Sequence, residues 1–387
     1  MLMVPTRRAK ASLLVGGIDV LGIMPGSSRV ISFGYEDNTS DKLDSIKVNI
    51  ADPERTWMMA HMPEEGIECK ASFSANAWRT PFDFRVLECG TFWIDEIDCS
   101  GPPNAIDIKG NSAPVPTGIK DEKKSRSWEG VDIRDIQSRI ASEHGLEAVW
   151  DVEKTPEKVK RTDQIEKTDM GYFRDKCKEA GLSIKIHNKQ LIVYSEKEYE
   201  ARPSSFVFAY GSSNILSWNF ALRLADVYAE AEAAYVNPET GKLTKVKVSP
   251  KDVPKTKSKL AVNERLAYGP DDLIGGGIGG SPLRPRPRIT GWQDWDHDDP
   301  ASNNGKGKNG RAAAKGKAEK KLKDKNKKHK CFELQMVGDP AYLSGLNAQI
   351  VGFGVFDDKY FLESVSHDID NSGYTCKLKM RKAISEY

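Results

Sequence analysis

Six histidines (His61, His144, His187, His297, His329, His367) and six cysteines (Cys69, Cys89, Cys99, Cys177, Cys331, Cys376) are the natural candidates for nucleophile, base or metal ligand. Their spacing builds no known site. A zinc knuckle needs a Cys-x-x-Cys pair to put two thiolates on one ion, and none is present. No histidine stands in an H-E-x-x-H run, which would place two imidazoles on one helical face, and no G-x-S-x-G elbow occurs. Paired carboxylates of the glycosidase kind are positioned by the fold, so sequence leaves them open. The cysteines fall in apolar alternations such as Ile67-Glu68-Cys69-Lys70-Ala71. They read as small buried hydrophobes of a reducing cytoplasm. The expectation is no catalytic residue, no metal and no cofactor.

Three further patterns sit in a polar stretch. Gly275, Gly277 and Gly280 match G-x-G-x-x-G, but Ser281-Pro282 and a Pro-Arg run follow where a phosphate-binding helix should start. Asp294, Asp296 and Asp298 alternate like calcium ligands, yet Asp299 and Gly305 occupy the positions that need glycine and a bidentate glutamate. Trp292 and Trp295 are candidates for docking, because large aromatic rings in a polar loop need a surface to pack on. Residues 304–330 hold eleven lysines and Arg311 against Glu319 and Asp324, a balance of +10 within a chain of net +2. The rest of the chain is therefore at −8. This lysine strap carries no aromatic residue for base stacking, so it reads first as a solvated charge run.

The elements that must position any site are mostly strands. A chain of 387 residues suits two or three domains. Apolar residues make up 39 %, charged residues 29 %, and mean hydropathy is −0.55. No run approaches the ~20 apolar residues of a membrane helix, and Met1 to Gly17 lacks the apolar centre of a secretory signal. Through residue ~115, Ile46-Val48-Ile50, Ile67-Cys69-Ala71-Phe73, Phe92-Ile94 and Ile106-Ile108 keep the period of two that half-buried strands require. Between ~127 and 200 the pattern turns helical at Ile133, Ile136 and Ile140, stopping at Gly145. It does so again at Phe173, Cys177 and Ala180, capped by Thr168 or Asp169 and stopped by Gly181. A hairpin follows, with its turn between His187 and Gln190. Strands resume at Trp218-Phe220, around the turn Asn237 to Gly241, and from Phe332 to the C-terminus. The predicted architecture is α+β and β-rich. Its parts are a first β-barrel domain (1–118), an α/β module (119–203), a second β-barrel domain (204–260 with 331–387), and a Gly/Pro/Lys-rich insertion or docking segment (261–330).

Two segments carry a family likeness. Lys167 to Leu182 (KTDMGYFRDKCKEAGL) is similar to a stretch of the late-control gene D family, through Asp169, Phe173, Gly181 and Leu182. Residues 343–381 resemble the closing pattern of the same family: Gly345, then Gly354, Asp357 and Tyr360 in a G-F-G-V-F-D-D-K-Y hairpin, His367 ending a strand, and Gly373-Tyr374-Thr375. Asp358 departs from the family's usual glycine. The family comprises baseplate hubs of contractile phage tails and phage-like injection systems, and is related to VgrG spikes. The resemblance covers most of 1–260 and 331–387, and not 261–330. It implies two tail-tube-like barrels flanking the module, a homotrimer of pseudo-six-fold shape, and a channel. It also implies partners in the tail tube, the central spike and other baseplate proteins, with nucleic acid only passing through and no membrane contact. The place implied is a virion or tail-like particle, assembled in the bacterial host cytoplasm, and the role is structural. The alternatives are a tail-associated cell-wall hydrolase, or a nucleic-acid-binding module using the 304–330 strap.

Overall fold

The computed structural model describes residues 6–223 and 330–383 apart from short breaks at 23–28, 40–41, 65, 81, 115–116 and 154–158. It also describes 230–236, 243–248, 288–290, 322, 326–327 and 329. The chain divides into two units: Met1–Ala221 with Cys331–Ala383, and Leu222–Lys330 with Ile384–Tyr387.

The first unit opens with seven strands: β1 (Arg8–Val15), β2 (Ile18–Asp19), β3 (Arg29–Asn38), β4 (Ser45–Ala51), β5 (Glu68–Asn76), β6 (Phe84–Ser100) and β7 (Ala105–Asn111). The module follows as β8 (Lys123–Val131), α1 (Ile133–Glu143), β9 (Glu147–Asp151), β10 (Val159–Thr168), α2 (Asp169–Glu179), β11 (Ser183–His187), β12 (Gln190–Tyr194) and α3 (Glu196–Ala201). Next come β13 (Phe206–Ala209) and β14 (Ile215–Leu222). The second unit holds β15 (Glu230–Val236), β16 (Leu243–Val248) and β17 (Arg288–Thr290), with β15 antiparallel to β16 and parallel to β17. The chain closes with β18 (Lys330–Val337), β19 (Asn347–Val351), β20 (Asp358–Asp370) and β21 (Gly373–Lys382).

The alternations become strands as their periodicity dictates. Ile46, Val48 and Ile50 of β4 are at most 2 % exposed and face Phe33, Tyr35, Phe73 and Phe92 in one core. That core continues without interruption into Phe332, Leu334, Met336, Leu362, Val365 and Leu378 from the C-terminal strands. The reason is a single pairing. β20 is thirteen residues long, so it pairs with β21 along one flank and with β3 along the other. One thirteen-stranded sheet results, in the order β14-β18-β21-β20-β3-β4-β7-β6-β5-β1-β2, with β13 and β19 branching from β20. The protein is thus β-rich with a large antiparallel sheet, and closure of either β block into a barrel is absent from the described pairings.

Local sequence also accounts for the module. Asp132 caps α1 in a reciprocal box with Asp135, and the Thr168 side chain, rather than Asp169, caps α2 by accepting from Gly171 N. Gly145 and Gly181 take φ of +66° and +80° after their helices, a conformation glycine adopts without strain. Ile136, Ile140, Phe173, Cys177, Leu182, Leu191 and Val193 make a second, separate core. The cysteine expectation needs one correction. Cys69, Cys89, Cys177 and Cys376 are buried and Cys331 is half-buried, but Cys99 is exposed, at the end of β6 where β5 has ended and only β7 still pairs with it. The glycine motif, the acidic triplet, Trp292, Trp295 and nearly all of the lysine strap lie outside the described residues.

Candidate functional site

Strand register places one polar face across eight of the sheet's strands, from β14 through β6. One row reads Gln335, Lys377, Ser366, Glu36, Ser45 and Asn111. The next reads Thr375, Asp368, Gly34, Lys47, Lys109 and Glu96, and a third Asp370, Ser32, Asn49, Asp107 and Asp98. Ser217 extends the face onto β14 through its 3.4 Å contact with Gln335. The apolar side chains in these rows stand at their ends, Val337 beside Thr375 on β18 and Trp93 beside Asn111 on β6. Ion pairs tie the strands laterally: Lys109 to Glu96 at 2.8 Å and Asp98 at 3.2 Å, Lys47 to Asp107 at 3.6 Å, and Lys377 to Glu333 at 3.2 Å. Carboxylates outnumber lysines on the face, and burial together with Asp370 and Glu36 raises the pKa of Asp368. A Cβ at Gly34 would stand 2.9 Å from the Asp368 carboxylate, so a larger residue there would make that side chain shift.

Three buried charge clusters fix the module to this sheet and hold it together. In the first, Lys185 of β11 reaches Asp37, the Asn38 carbonyl at 2.8 Å, Ser344 at 3.2 Å and Asp44 at 3.3 Å. In the second, Arg381 of β21 donates to Glu200 at 2.6 Å and Glu196 at 2.9 Å on α3, and its Nε lies 3.0 Å from Glu363. Asn347 and Lys359 add donors to the carbonyls of Tyr199, Glu200 and Arg202 at the end of that helix. The third cluster centres on Asp169. Its carboxylate accepts from Lys124 (2.8 Å), Arg126 (2.7 Å), Gln164 (2.8 Å) and His144 (2.8 Å). Burial alone would raise its pKa, but these donors hold it down at about 2.

The residues singled out by family likeness fall into three places. Asp169, Phe173, Gly181 and Leu182 lie in the module, with Phe173 fully buried. Gly345 (φ +81°), Gly354 (φ +68°), Asp357 and Tyr360 shape the turns around β19 and the start of β20. Asp357 accepts from the backbone of Gly352 and Phe353, and Tyr360 donates to the Phe356 carbonyl at 2.9 Å. His367, Gly373 and Tyr374 belong to the β20–β21 hairpin. His367 is fully buried between Tyr374 Oη at 2.7 Å and the Tyr342 carbonyl at 2.9 Å. The carbonyl can only accept, so Nε2 carries the proton and Nδ1 accepts from the phenol. Burial lowers the His367 pKa to about 4 from 6.5. Its depressed value makes the folded state resist protonation, so stability is full above pH 6.5 and falls as the pH drops toward 4. The expected loss is about 3 kcal/mol. Denaturant unfolding at several pH values checks this, since His367→Gln should lack that part of the slope.

Sequence reasoning missed Lys185, Asp37, Asp44, Arg381 and Glu200. One signal was available: Met380 and Arg381 are consecutive, both buried, and so break the strand alternation. As chemistry, Asp37, Arg381 and Glu200 are held in ion pairs rather than poised. Cys376 lies 3.2 Å from His367, yet burial raises the thiol to about 12 beside an imidazole held neutral, so the pair forms no thiolate. Glu143, His144 and Asp169 stand close enough to share an ion, but Lys124 and Arg126 already occupy the carboxylates. No helix among the described residues is long and apolar enough to cross a membrane.

No family model and no curated protein matches the sequence. Solved structures do match in shape. The 43 kDa tail protein of prophage MuSo2 from Shewanella oneidensis is similar over 97 % of this chain and 99 % of its own, with a TM-score of 0.64 at 10 % identity. A tail protein from Neisseria meningitidis is similar over 97 % and 98 %, with a TM-score of 0.64 at 12 % identity. The Francisella PdpA–VgrG complex contains a chain similar over 98 % of this one and 59 % of its own, with a TM-score of 0.52 at 8 % identity. The fold is the one shared by phage tail proteins and VgrG. Its structural neighbours are those expected of the baseplate hub and VgrG-related class that the two sequence segments resemble.

Proposed function

We propose that this chain is a structural baseplate hub: three copies form a pseudo-six-fold ring around a channel, joining a hexameric tail tube to a trimeric spike. The observation that carries the proposal is the polar face, which runs unbroken from the C-terminal strands into the N-terminal ones. A wall past which a linear polymer slides needs hydrophilic side chains, a carboxylate excess that repels nucleic acid, and no apolar cluster to hold it. In this reading 1–118 and 204–260 with 331–387 are equivalent ring-forming domains, which gives three chains six docking surfaces. The module at 119–203 and the segment at 261–330, with Trp292 and Trp295, are left for spike and baseplate contacts. The role is non-catalytic, and the chain works in a virion or tail-like particle assembled in the host cytoplasm.

Sheet edges support the ring. β14 ends the sheet with Leu216, Trp218 and Leu222 about half exposed, and it has no charged residue or proline to discourage pairing. At the other end of the polar face, β6 loses its β5 partner after Ile94, leaving the flank of Asp95–Ser100 open among the described residues. Joining β14 of one copy to that flank of the next continues the polar face and removes both edges. Light scattering should give about three chain masses for the assembled form. A disulfide between chains should appear only when Asn219→Cys and Asp98→Cys are combined in a Cys99→Ser background. A stable monomer under all conditions, or true six-fold rings of six chains, overturns the proposal.

A further inference from the structure

The contact between the module and the sheet carries an unbalanced charge. Asp37 and Asp44 are both nearly fully buried, and a single ammonium, Lys185, lies between them. Asp37 is well served: it accepts from Lys185 and from the Ser344 backbone and hydroxyl, each at 2.7 Å. Asp44 has less. It accepts from Asn38 N at 2.9 Å, touches Lys185 at 3.3 Å, and faces His187 Nδ1 at 3.1 Å. With a neutral imidazole the cluster holds two carboxylates against one cation. A buried charge left over in this way is expensive unless a proton neutralises it.

We infer that the β11–β12 hairpin is a proton-linked latch, which seats on the N-terminal strands more firmly when the Asp44–His187 pair takes up one proton. A proton on either member removes the imbalance. On the carboxyl it cancels the second negative charge, and on the ring it supplies the second cation. His187 is 30 % exposed, which gives the proton its route. The hairpin tip seats by contacts that do not change charge with it: Thr91 Oγ1 donates to Asn188 at 3.1 Å, and Lys189 pairs with Glu68 at 2.6 Å.

The neighbouring titratable groups on other elements reinforce the direction. Tyr35 on β3 and Cys89 on β6 are held neutral by burial, so neither adds a negative charge to the cluster. His367 on β20 is held neutral by burial. Burial, with Asp37 adding to it, raises Asp44 above an ordinary carboxyl despite Lys185 and His187, whereas Lys185 and Ser344 hold Asp37 below one even though burial opposes them. A raised group contributes stability that is complete at low pH and fades as the pH rises through its folded value. Seating should therefore weaken with rising pH, by up to about tenfold per unit while Asp44 deprotonates.

Hydrogen exchange of the full-length protein between pH 5 and 9, corrected for intrinsic rates, tests this. Peptides of β11–β12 should lose protection with rising pH relative to peptides of β20–β21 in the same molecule. Asp44→Asn keeps the acceptor for Asn38 N and removes the charge, so its β11–β12 protection should be independent of pH and no lower than wild type at pH 8. Lys185→Met, which leaves both carboxylates uncompensated, should steepen the dependence. A flat wild-type profile overturns the inference, and so does a slope that survives in Asp44→Asn. If Lys185→Met fails to fold, the wild-type and Asp44→Asn pair decides alone.

Discussion

Arg381→Leu should destabilise the first unit by about 3–5 kcal/mol, the range found when one partner of a buried ion cluster is removed. Arg381 is 1 % exposed, and Glu200 beside it is wholly buried. Leucine fills part of the space but leaves Glu200 without its guanidinium, the group to which it donates nothing and from which it accepts at 2.6 Å. A carboxyl buried without that guanidinium is penalised more in its charged form than in its neutral one. The deficit of the variant should accordingly be smaller at pH 5 than at pH 7.5, the opposite of ordinary acid denaturation. Adding Glu200→Gln should recover part of the loss at neutral pH, because the pair acts as a unit. Chemical unfolding of the single and double variants at pH 5 and pH 7.5 measures both effects. A pH-independent deficit would mean that Arg381 acts by packing on Phe361, whose ring lies 4.8 Å from the guanidinium carbon, and not by charge.

Asp169→Ala should unfold the module selectively, at a cost also of about 3–5 kcal/mol. The carboxylate joins β8, β10, α1 and α2 through four donors, and it sits in the first turn of α2, where a negative charge is favoured. Alanine leaves Lys124, Arg126 and His144 facing one another. Asp169→Asn should rescue little, since its amide nitrogen turns a donor toward two of the four donors. Exchange protection of α1 and α2 should collapse while that of β3, β4 and β20 remains, because the module has its own core. In the native protein the same carboxyl, held near pH 2, contributes stability above an ordinary aspartate's pKa of about 4 and loses it as the pH falls toward 2. Loss of protection spread evenly through both cores would show instead that module and sheet unfold as one.

The strands and helices were legible because their signals are local. Ile46-Val48-Ile50 alternates whatever lies opposite, and the helix stops at Gly145 and Gly181 follow from a backbone geometry that glycine meets without strain. The motif residues Asp169, His367 and Tyr374 were legible as positions in a resemblance, although nothing in their spacing disclosed the partners they meet. Cys99 misled because its apolar neighbours resemble those of the buried cysteines. Its exposure depends on where the partner strand ends.

What the sequence determined by itself was therefore helices α1 and α2, the strands with a clear alternation, the β-rich class and the likeness to tail hubs, while β8, β10 and α3 went unread. These rest on side-chain period, turn chemistry and short motifs, all of which act over a few residues. Only the tertiary structure decided that the two β blocks are parts of one sheet, since this hangs on β20 meeting β3 across more than three hundred residues of chain. The tertiary structure also decided the charge clusters. Lys185 lies 148 residues from Asp37, and Arg381 lies 181 from Glu200. An ammonium or a guanidinium in a strand looks the same in sequence whether it faces water or a buried carboxylate. The difference is made by the dielectric and the partners that folding supplies, and neither is written in the neighbouring residues.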